Sequence, residues 1–377
     1  MKKISIYLVS MIFALGLSAC KKTTPENVIT IGEVGAMTGP TATFGISTHN
    51  GIMLAIEEIN EAGGVKGKKL NLISLDDQGK PDEAAMVTTK LITQDKVVAI
   101  LGEVASSVSL AMAPIAQQYK VPMITPSSTN PDVTKKGDHI FRVCFIDPFQ
   151  GSVMAKFAHE TLKAKSVAIL RDIKNDYSMG LSNFFVDKFN SLGGKIAVEQ
   201  SYSAGDIDFK SQLTSIRAKK PDAIYVPGYY TDVGLIARQA RELGITVPLM
   251  GGDGWDSPKL KEIGGTAVNG SYFSNHYSAE NQDPKVQEFL AKYKAKYGST
   301  PDALAAMGYD AARVLAEAME RAPSLASNDL RDAIAATKDF SGVTGNITID
   351  QDRNAVKAAV VLKVTDDGFK YQSTVNP

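Results

Sequence analysis

The sequence predicts an α/β fold of two similar lobes, each built on a parallel sheet that helices cover on both faces. Continuous apolar runs alternate with longer stretches whose apolar residues recur at helical spacing, such as Ile52, Ala55, Ile56 and Ile59. Strands that are apolar throughout are typical of parallel sheets buried on both sides. The chain has 377 residues, of which 44% are apolar. Without its predicted signal it is still long enough for two domains of roughly 150 residues each.

The strand candidates alternate with helical stretches as far as Ser274, and three consecutive helical patterns follow Tyr277. The predicted strands are Val28–Val34, Leu70–Leu75, Val97–Leu101, Met123–Thr125, Val167–Leu170, Ile196–Val198, Ala223–Val226, Pro248–Gly251 and Ser271–Ser274. Three consecutive helices are predicted at Pro284–Tyr297, Asp302–Arg321 and Asn328–Lys338. A hairpin-like section closes the chain at Asn346–Ile349, Ala358–Val364 and Phe369–Gln372.

Two strand–helix–strand units share the same spacing. The twenty positions that separate Gly102 from Pro122 also separate Gly228 from Pro248. Such glycine and proline punctuation is common in α/β proteins, but equal spacing favours two lobes of like topology. The pattern restarts near Asp147, which marks the predicted boundary between the lobes.

The loops that follow the strands are the candidate binding segments, because ligands of open parallel sheets bind beyond the carboxyl ends of the strands. The offset between the two units places Ser127 of the first opposite Asp253 of the second. The first loop, 127–130, offers hydroxyls and helix-start N–H groups without an acid, which suits a carboxylate. Asp253 lies between glycines, and Trp255 and the Tyr229-Tyr230 pair are near it in this pattern, which suits an ammonium.

An α-amino acid carries both of these groups on one carbon. No Lys or Arg occupies these loops, so a neutral ligand side chain is favoured. Taken singly, each feature has a plainer interpretation, because Ser and Thr are common helix N-caps and Asp between glycines is a common turn residue. Their matched positions in the two halves favour binding.

The N-terminus predicts a secretory signal over residues 1–19. Lys2 and Lys3 precede an apolar run from Ile4 that is shorter than the roughly 20 residues of a membrane-spanning helix. The segment Leu17-Ser18-Ala19-Cys20 resembles the lipobox of bacterial lipoproteins, in which the cysteine becomes the acylated N-terminus. The alternative is an ordinary signal peptide or a signal anchor with a chance cysteine. With lipidation, 20–27 is a tether, and the protein works in the periplasm or on the outer cell surface, anchored to a membrane by lipid.

Charge, cysteines and missing motifs exclude several functions. The chain has 41 basic and 41 acidic residues, and loss of Lys2 and Lys3 leaves 39 basic, a formal charge of −2 that gives no reason to expect nucleic-acid binding. After lipidation only Cys144 remains, in an apolar run that predicts burial and permits no intrachain disulfide. Hydrolase, zinc-protease, P-loop and dinucleotide motifs are missing, so we expect no enzyme, no cofactor and no metal. The scattered histidines are interpreted as surface or packing residues: His49, His139, His159 and His276.

Seven segments in order carry a resemblance to a known family. They are Gly35–Pro40 with Phe44-Gly45, Ile59–Gly64, Asp76-Asp77, Ala168–Leu170, Gly228–Tyr230, Arg238–Ala240 and Gly342–Ile349. Together they resemble type I periplasmic solute-binding proteins of the Leu/Ile/Val-binding, or branched-chain amino acid, kind. The resemblance runs through nearly all of the mature chain.

The resemblance implies two Rossmann-like lobes with parallel central sheets, joined by a three-crossover hinge that closes on the ligand. Lobe one is then 28–147 plus 278–355, and lobe two is 148–277 plus 356–377. The family's carboxylate contacts fall on Ser106, Ser127 and Thr129. Its ammonium acceptor falls on Asp253, where close relatives have glutamate, and its aromatic lining falls on Phe44, Tyr177 and Tyr229.

The function implied by the resemblance is that of a lipid-anchored monomer that captures a neutral, branched-chain or other apolar, amino acid and delivers it to the permease subunits of an ABC importer. A carrier of an amide, a urea or an aromatic acid is an alternative on the same fold. A ligand-sensing subunit of a membrane receptor is another. Asp253 favours an amine on the ligand, whereas Ser127 and Ser128, which replace smaller residues, leave its identity open.

Overall fold

Two sheets organise residues 27–377, the part of the chain that the computed structural model describes. The strands of the first sheet are β1 (Val28–Gly35), β2 (Lys69–Asp76), β3 (Ile100–Leu101), β4 (Met123–Thr125) and β5 (Ile140–Arg142). They are all parallel, in the order β2-β1-β3-β4-β5. Between them run α1 (Ala42–Glu61), α2 (Pro81–Thr93) and α3 (Ser106–Gln118). We call this sheet and its helices lobe one.

Lobe two repeats this arrangement. Its strands are β6 (Ser166–Asp172), β7 (Lys195–Tyr202), β8 (Ala223–Tyr225), β9 (Leu249–Gly251) and β10 (Tyr272–Asn275). Its helices are α4 (Asp147–Lys156), α5 (Asp176–Ser191), α6 (Lys210–Lys219), α7 (Tyr230–Glu242) and α8 (Pro258–Gly264). These strands are parallel in the order β7-β6-β8-β9-β10, which is the order of lobe one. The predicted like topology of the two lobes is therefore confirmed.

The chain passes between the lobes three times, after β5, after β10 and just before β14. The second passage leads into α9 (Pro284–Tyr297), α10 (Ala303–Arg321) and α11 (Ser327–Ala335). A small antiparallel sheet follows with β11 (Phe340–Gly342), β12 (Gly345–Ile349) and β13 (Ala355–Val356). The third passage returns the chain to lobe two as the hairpin β14 (Ala359–Thr365) and β15 (Gly368–Val375). The predicted three-crossover fold is confirmed in this connectivity.

Three strand predictions need correction. The second sheet is mixed, because β14 runs antiparallel to β10. The strand β5 was not predicted, since it carries the fully buried Arg142, whose guanidinium donates to the backbone carbonyls of Ser128 and Asn130. The predicted third strand is shortened to Ile100–Leu101, although Val98 and Ala99 also form backbone hydrogen bonds with β1.

The equal spacing of the two units also needs a correction. The helices α3 and α7 have 13 residues each, and four residues separate each of them from the preceding strand. The connection from helix to strand is longer by two residues in lobe two, so Gly102 corresponds to Val226 and not to Gly228. After β4 and β9 the correspondence holds, because Ser127 and Asp253 are each the second residue beyond their strand.

The hydrophobic cores lie on both faces of the sheets. In lobe one, α10 packs beside α1, and both contribute to a core that also contains β1 and β4 residues. Cys144 is fully buried in this core, as predicted, and burial raises the pKa of its thiol to about 12. Within residues 27–377, none of the helices is both long enough and apolar enough to span a membrane. The predicted signal and Cys20 lie outside the described residues.

Candidate functional site

Side chains from both lobes line one cavity at the carboxyl ends of the two sheets. The lining residues are Phe44, Val104, Ser106, Ser127 and Leu304 from lobe one, and Tyr177, Tyr229, Asp253 and Gly254 from lobe two. The volume that the centre of a water molecule can occupy in this cavity is about 10 Å³. That is room for about one water molecule. A larger occupant therefore requires the lining side chains, or the lobes themselves, to move apart.

The structure brings together six of the seven ligand-binding residues predicted from the sequence. They are Phe44, Ser106, Ser127, Tyr177, Tyr229 and Asp253. The seventh, Thr129, lies two residues beyond Ser127 on the same loop but does not line the cavity. Its carbonyl accepts the N–H of Asp147 at 3.0 Å. Burial raises the pKa of the Asp147 carboxyl to about 8.

The lobe one side of the cavity presents hydroxyl groups with unused hydrogen-bonding capacity. The hydroxyls of Ser127 and Thr129 are buried and have no hydrogen-bond partner among residues 27–377. Ser106 is the first residue of α3, and its hydroxyl accepts the N–H of Asn130 at 3.3 Å. Because buried polar groups are rarely left unpaired, the free Ser127 hydroxyl, which lines the cavity, indicates a place for an acceptor such as a carboxylate.

A buried acid behind this loop adds no strong negative charge. Glu103 is almost completely buried, and one of its carboxyl oxygens accepts the backbone N–H of Ala105. Burial, with repulsion from Asp77, raises the pKa of Glu103 well above its usual range. This shift favours the uncharged form of Glu103, which is compatible with an anion on the hydroxyl side of the cavity.

The lobe two side presents a carboxylate that is held by several donors. The Tyr177 hydroxyl donates to Asp253 Oδ1 at 2.9 Å, and His276 Nε2 lies 3.0 Å from Asp253 Oδ2. The Asp253 N–H donates to Gln150 Oε1 at 2.8 Å. The Asp253 side chain is only 6% exposed, so its negative charge is held in a mostly dry environment. Such a charge suits a cation that can replace the lost hydration.

The glycines on either side of Asp253 are required for close packing. A Cβ atom at Gly252 would lie 2.4 Å from the Tyr177 hydroxyl oxygen. A Cβ atom at Gly254 would lie 2.8 Å from the Tyr229 ring and 2.9 Å from the Gly228 carbonyl oxygen. The two glycines therefore let Tyr177 and Tyr229 pack closely against the segment that carries Asp253, which is more than the turn role that such a sequence suggests.

Aromatic rings from both lobes meet at the cavity. Tyr177 and Tyr229 stack with ring centroids 5.4 Å apart, and Phe44 meets Tyr229 edge-on at 5.5 Å. Trp255 does not face the cavity as expected, because its indole is fully buried and donates to the Val226 carbonyl at 3.0 Å. Tyr230 also turns away, and its hydroxyl donates to the carbonyl of Pro40 in lobe one at 2.9 Å.

Hydrogen bonds across the cleft hold the two lobes together around the cavity. Thr43 of lobe one and Ser257 of lobe two have their hydroxyl oxygens 3.0 Å apart. The Asp176 N–H donates to the Ser107 hydroxyl at 3.0 Å. Asp256 in lobe two accepts the N–H of Ala303, the first residue of α10, at 2.7 Å. Rearrangement of these contacts is the structural condition for opening the cleft.

Sequence reasoning missed several residues of the site. Val104 and Gly254 lie in loops that were already singled out, so only their lining role was missed. Leu304 comes from α10, far away in the sequence, and no local signal points to it. His276 is buried and packs against Phe145, as its interpretation as a packing residue requires, but it also contacts Asp253, which that interpretation missed.

Comparisons with known proteins agree with this architecture. A family model described as periplasmic binding protein matches residues 28–369. A leucine-, isoleucine-, valine-, threonine- and alanine-binding protein of Pseudomonas aeruginosa is 33% identical over 326 residues, which cover 86% of each chain. The crystal structure of a leucine binding protein, LivK, from Thermotoga maritima has a TM-score of 0.89 and 44% identity, covering 93% of this chain and 99% of that one.

A second solved structure is similar to the same extent. It is the branched-chain amino acid transporter substrate binding protein LivJ from Streptococcus pneumoniae in complex with isoleucine. It has a TM-score of 0.88 and 36% identity, and the match covers 93% of this chain and 100% of that one.

Proposed function

The chain belongs to the type I periplasmic binding protein family, in its Leu/Ile/Val-binding group, and on this premise we propose that it captures a neutral amino acid for an ABC importer. The amino acid is branched-chain or otherwise apolar, and it binds between the two lobes. The names of the three relatives support this choice, because each includes leucine or branched-chain amino acids. The proposed role is binding and delivery, without a catalytic step.

One observation carries the proposal. A single cavity has the Ser127 hydroxyl, which lacks a partner among residues 27–377, on one side and the Asp253 carboxylate on the other. These two sides complement the carboxylate and the ammonium of a zwitterion. None of the described residues that line the cavity is Lys or Arg, and Val104 and Leu304 are apolar, so the side chain of the ligand is neutral and apolar.

A thermal-shift screen tests the proposal. The protein is denatured and refolded to remove any carried ligand, and it is then melted with amino acids, amides, ureas and aromatic acids. A neutral L-amino acid is expected to raise the melting temperature, because any ligand that binds only the folded state stabilises it. A shift with amides or aromatic acids and none with amino acids would overturn the proposal in favour of another carrier.

Substitution of Asp253 identifies the group that holds the ammonium. Asp253→Ala is expected to remove most of the shift that the amino acid produces. Asp187→Ala is the matched control, because Asp187 is exposed on α5 of the same lobe. A shift that Asp253→Ala leaves at its full size would reject the assignment of the ammonium to this carboxylate.

We also propose that the mature protein begins at Cys20 and is held at a membrane by lipid. The support is the sequence Leu17-Ser18-Ala19-Cys20 together with membership of a periplasmic binding protein family. Mass spectrometry of the membrane fraction is expected to find a diacylglyceryl modification on the N-terminal cysteine. Cys20→Ala is expected to abolish that modification, and recovery of unmodified wild-type protein in the soluble fraction would reject the anchor.

The proposed lobes are 28–147 plus 278–355 and 148–277 plus 356–377, and they close as rigid units of a monomer. The support is the division of the strands between two sheets and the three passages of the chain between them. Small-angle scattering with and without the amino acid is expected to show a smaller radius of gyration in its presence and a mass of one chain. An unchanged radius would reject closure about a hinge.

A further inference from the structure

A buried histidine lies behind the carboxylate of the site and outside the cavity. Each oxygen of Asp253 has its own partner, Tyr177 on Oδ1 at 2.9 Å and His276 on Oδ2 at 3.0 Å. Tyr177 lines the cavity, whereas the His276 side chain is fully buried and does not. His276 therefore reaches a ligand only through Asp253.

The ring of His276 is fixed by its neighbours. His276 directly follows β10, at the second passage between the lobes, and its N–H donates to Asn275 Oδ1 at 2.9 Å. Its imidazole stacks on Phe145, which lies at the first passage, with ring centroids 3.8 Å apart. The Nδ1 atom has no hydrogen-bond partner among residues 27–377. The arrangement assigns the hydrogen to Nε2, where it is donated to the acceptor-only carboxylate.

Burial favours the neutral form of His276. The titratable side chains that influence it are Asp253 and Lys357, and Cys144 and Asp147 also belong to the cluster around the carboxylate. Burial lowers the pKa of His276, Asp253 opposes this effect, and the charge of Lys357 adds to the lowering. Lys357 is itself buried at the third passage between the lobes.

A neutral donor is what an ammonium site requires. An imidazolium would form an ion pair with Asp253 and compete with the ligand, whereas a neutral N–H holds the carboxylate and leaves its negative charge available. Fixing the carboxylate matters because the χ2 torsion of Asp has a broad, roughly two-fold preference, so the carboxylate can rotate. The short Asp side chain also has little reach to adjust to the ligand. With one donor on each oxygen, the remaining lone pairs are held in one orientation.

We propose that His276 is a positioning residue for the ammonium of the ligand, acting through Asp253, a role that rests on the proposed amino-acid function. His276 fixes the Asp253 carboxylate so that it meets an ammonium without rearrangement. It thereby contributes to the preference of the site for an α-amino acid over the same acid without its amino group. The carboxylate side of the ligand, at Ser127, does not depend on it.

Two probes that differ only in the amino group test this role. They are L-leucine and 4-methylpentanoate, and their dissociation constants are measured by ligand-observed NMR and, where tight enough, by calorimetry on refolded protein. His276→Phe retains a ring to stack on Phe145 and removes the donor. It is expected to weaken L-leucine by about 10- to 100-fold, the usual loss for a hydrogen bond to a charged group, and 4-methylpentanoate by less than about threefold.

A conservative variant and a second histidine provide the controls. His276→Gln retains an N–H donor and is expected to bind L-leucine within about threefold of the wild type. His49→Phe makes the same change as His276→Phe in another histidine–carboxylate pair, in which Nδ1 lies 2.7 Å from Glu33 away from the cavity, and is expected to change neither constant. Melting temperatures of the ligand-free variants confirm that each one folds.

The outcomes separate this inference from the function on which it rests. Selective loss of L-leucine in His276→Phe supports the positioning role. Parallel loss of both probes shows a merely structural role, and unchanged dissociation constants for both probes show no role. Either result overturns the inference and leaves the proposed function intact. A wild-type protein that does not prefer L-leucine to 4-methylpentanoate overturns the ammonium assignment and the inference together.

Discussion

The two lobes have the same strand order but present opposite chemistry to the cavity. The equivalent strands are β4 in lobe one and β9 in lobe two. The second residue beyond each strand lines the cavity, and it is Ser127 in lobe one and Asp253 in lobe two. The serine hydroxyl has no partner among residues 27–377, whereas the aspartate has one on each oxygen. The difference shows that topology fixes where a side chain is delivered, and that single residues at that point decide which end of a ligand it contacts.

The largest effect is expected when both sides are made acidic. Ser127→Asp places a carboxylate where the ligand carboxylate binds, and like charges in such a place cost several kcal/mol. We expect a loss in amino-acid affinity of at least about 100-fold by calorimetry. Ser299→Asp, at an exposed position of lobe one, makes the same charge change and is expected to leave affinity unchanged. Retained affinity in Ser127→Asp would show that the carboxylate binds elsewhere.

A second effect concerns the close packing around the acidic side of the cavity. Gly252→Ala brings a Cβ atom to 2.4 Å from the Tyr177 hydroxyl and 2.7 Å from Gln150 Oε1, so these groups must shift. We expect a loss of about 1–3 kcal/mol in the free energy of unfolding, measured by urea denaturation. Gly35→Ala at the end of β1 is the control, since its nearest contact is an ordinary 3.4 Å. Equal stability of the two variants would contradict the packing argument.

A smaller effect distinguishes neighbouring serines of lobe one. Ser127→Ala removes a buried hydroxyl without a described partner, so the ligand-free protein is expected to be as stable as the wild type or more stable, while affinity falls by about five- to tenfold. The Ser128 hydroxyl is bonded to the carbonyls of Glu103 and Val104 at 3.0 and 2.9 Å. Ser128→Ala is therefore expected to lower the melting temperature. The reverse order of stabilities would contradict the partner assignment.

The smallest effect concerns the acids where the lobes touch at the start of α10. Asp256 accepts the N–H of Ala303, and Asp302 accepts that of Ala305 at 2.9 Å. Burial, with repulsion from neighbouring acids, raises the pKa of both carboxyls. The folded state then holds protons that the unfolded state releases, so the free energy of unfolding falls as pH rises above about 4.

Asp302→Asn is expected to reduce that decline. Urea denaturation at pH 5 and pH 8 should show a difference between the two pH values that is smaller than in the wild type by about 1 kcal/mol. Asp187→Asn on the exposed face of α5 serves as the control and is expected to leave the difference as it is. An identical pH response of Asp302→Asn and the wild type would show that these acids titrate normally.

The parts of the fold that were predictable from the sequence are those that local pattern determines. Strand β4 and helix α9 begin and end where their runs predict, because a continuous apolar run and a Pro-started amphipathic helix are local signals. The cavity residues were obtainable in part from the order of the loops and in part from the family resemblance. Their gathering around one cavity agrees with both, although their binding roles stay predictions.

The parts that were not predictable depend on partners far apart in the sequence. Strand β5 was hidden by Arg142, whose charge is satisfied by carbonyls of the preceding loop rather than by solvent. The contact of His276 with Asp253 and its stacking on Phe145 join three segments that no periodicity connects. Leu304 reaches the cavity only because α10 returns to lobe one after the second passage.

The three passages of the chain also govern when each lobe can complete its folding. The core of lobe one contains residues from α10 to β13, and the sheet of lobe two is completed only by the hairpin β14–β15. A chain that emerges from its N-terminus therefore cannot finish either core until nearly all of it has been made. Both lobes can therefore acquire their final packing only when the last segments of the chain are in place.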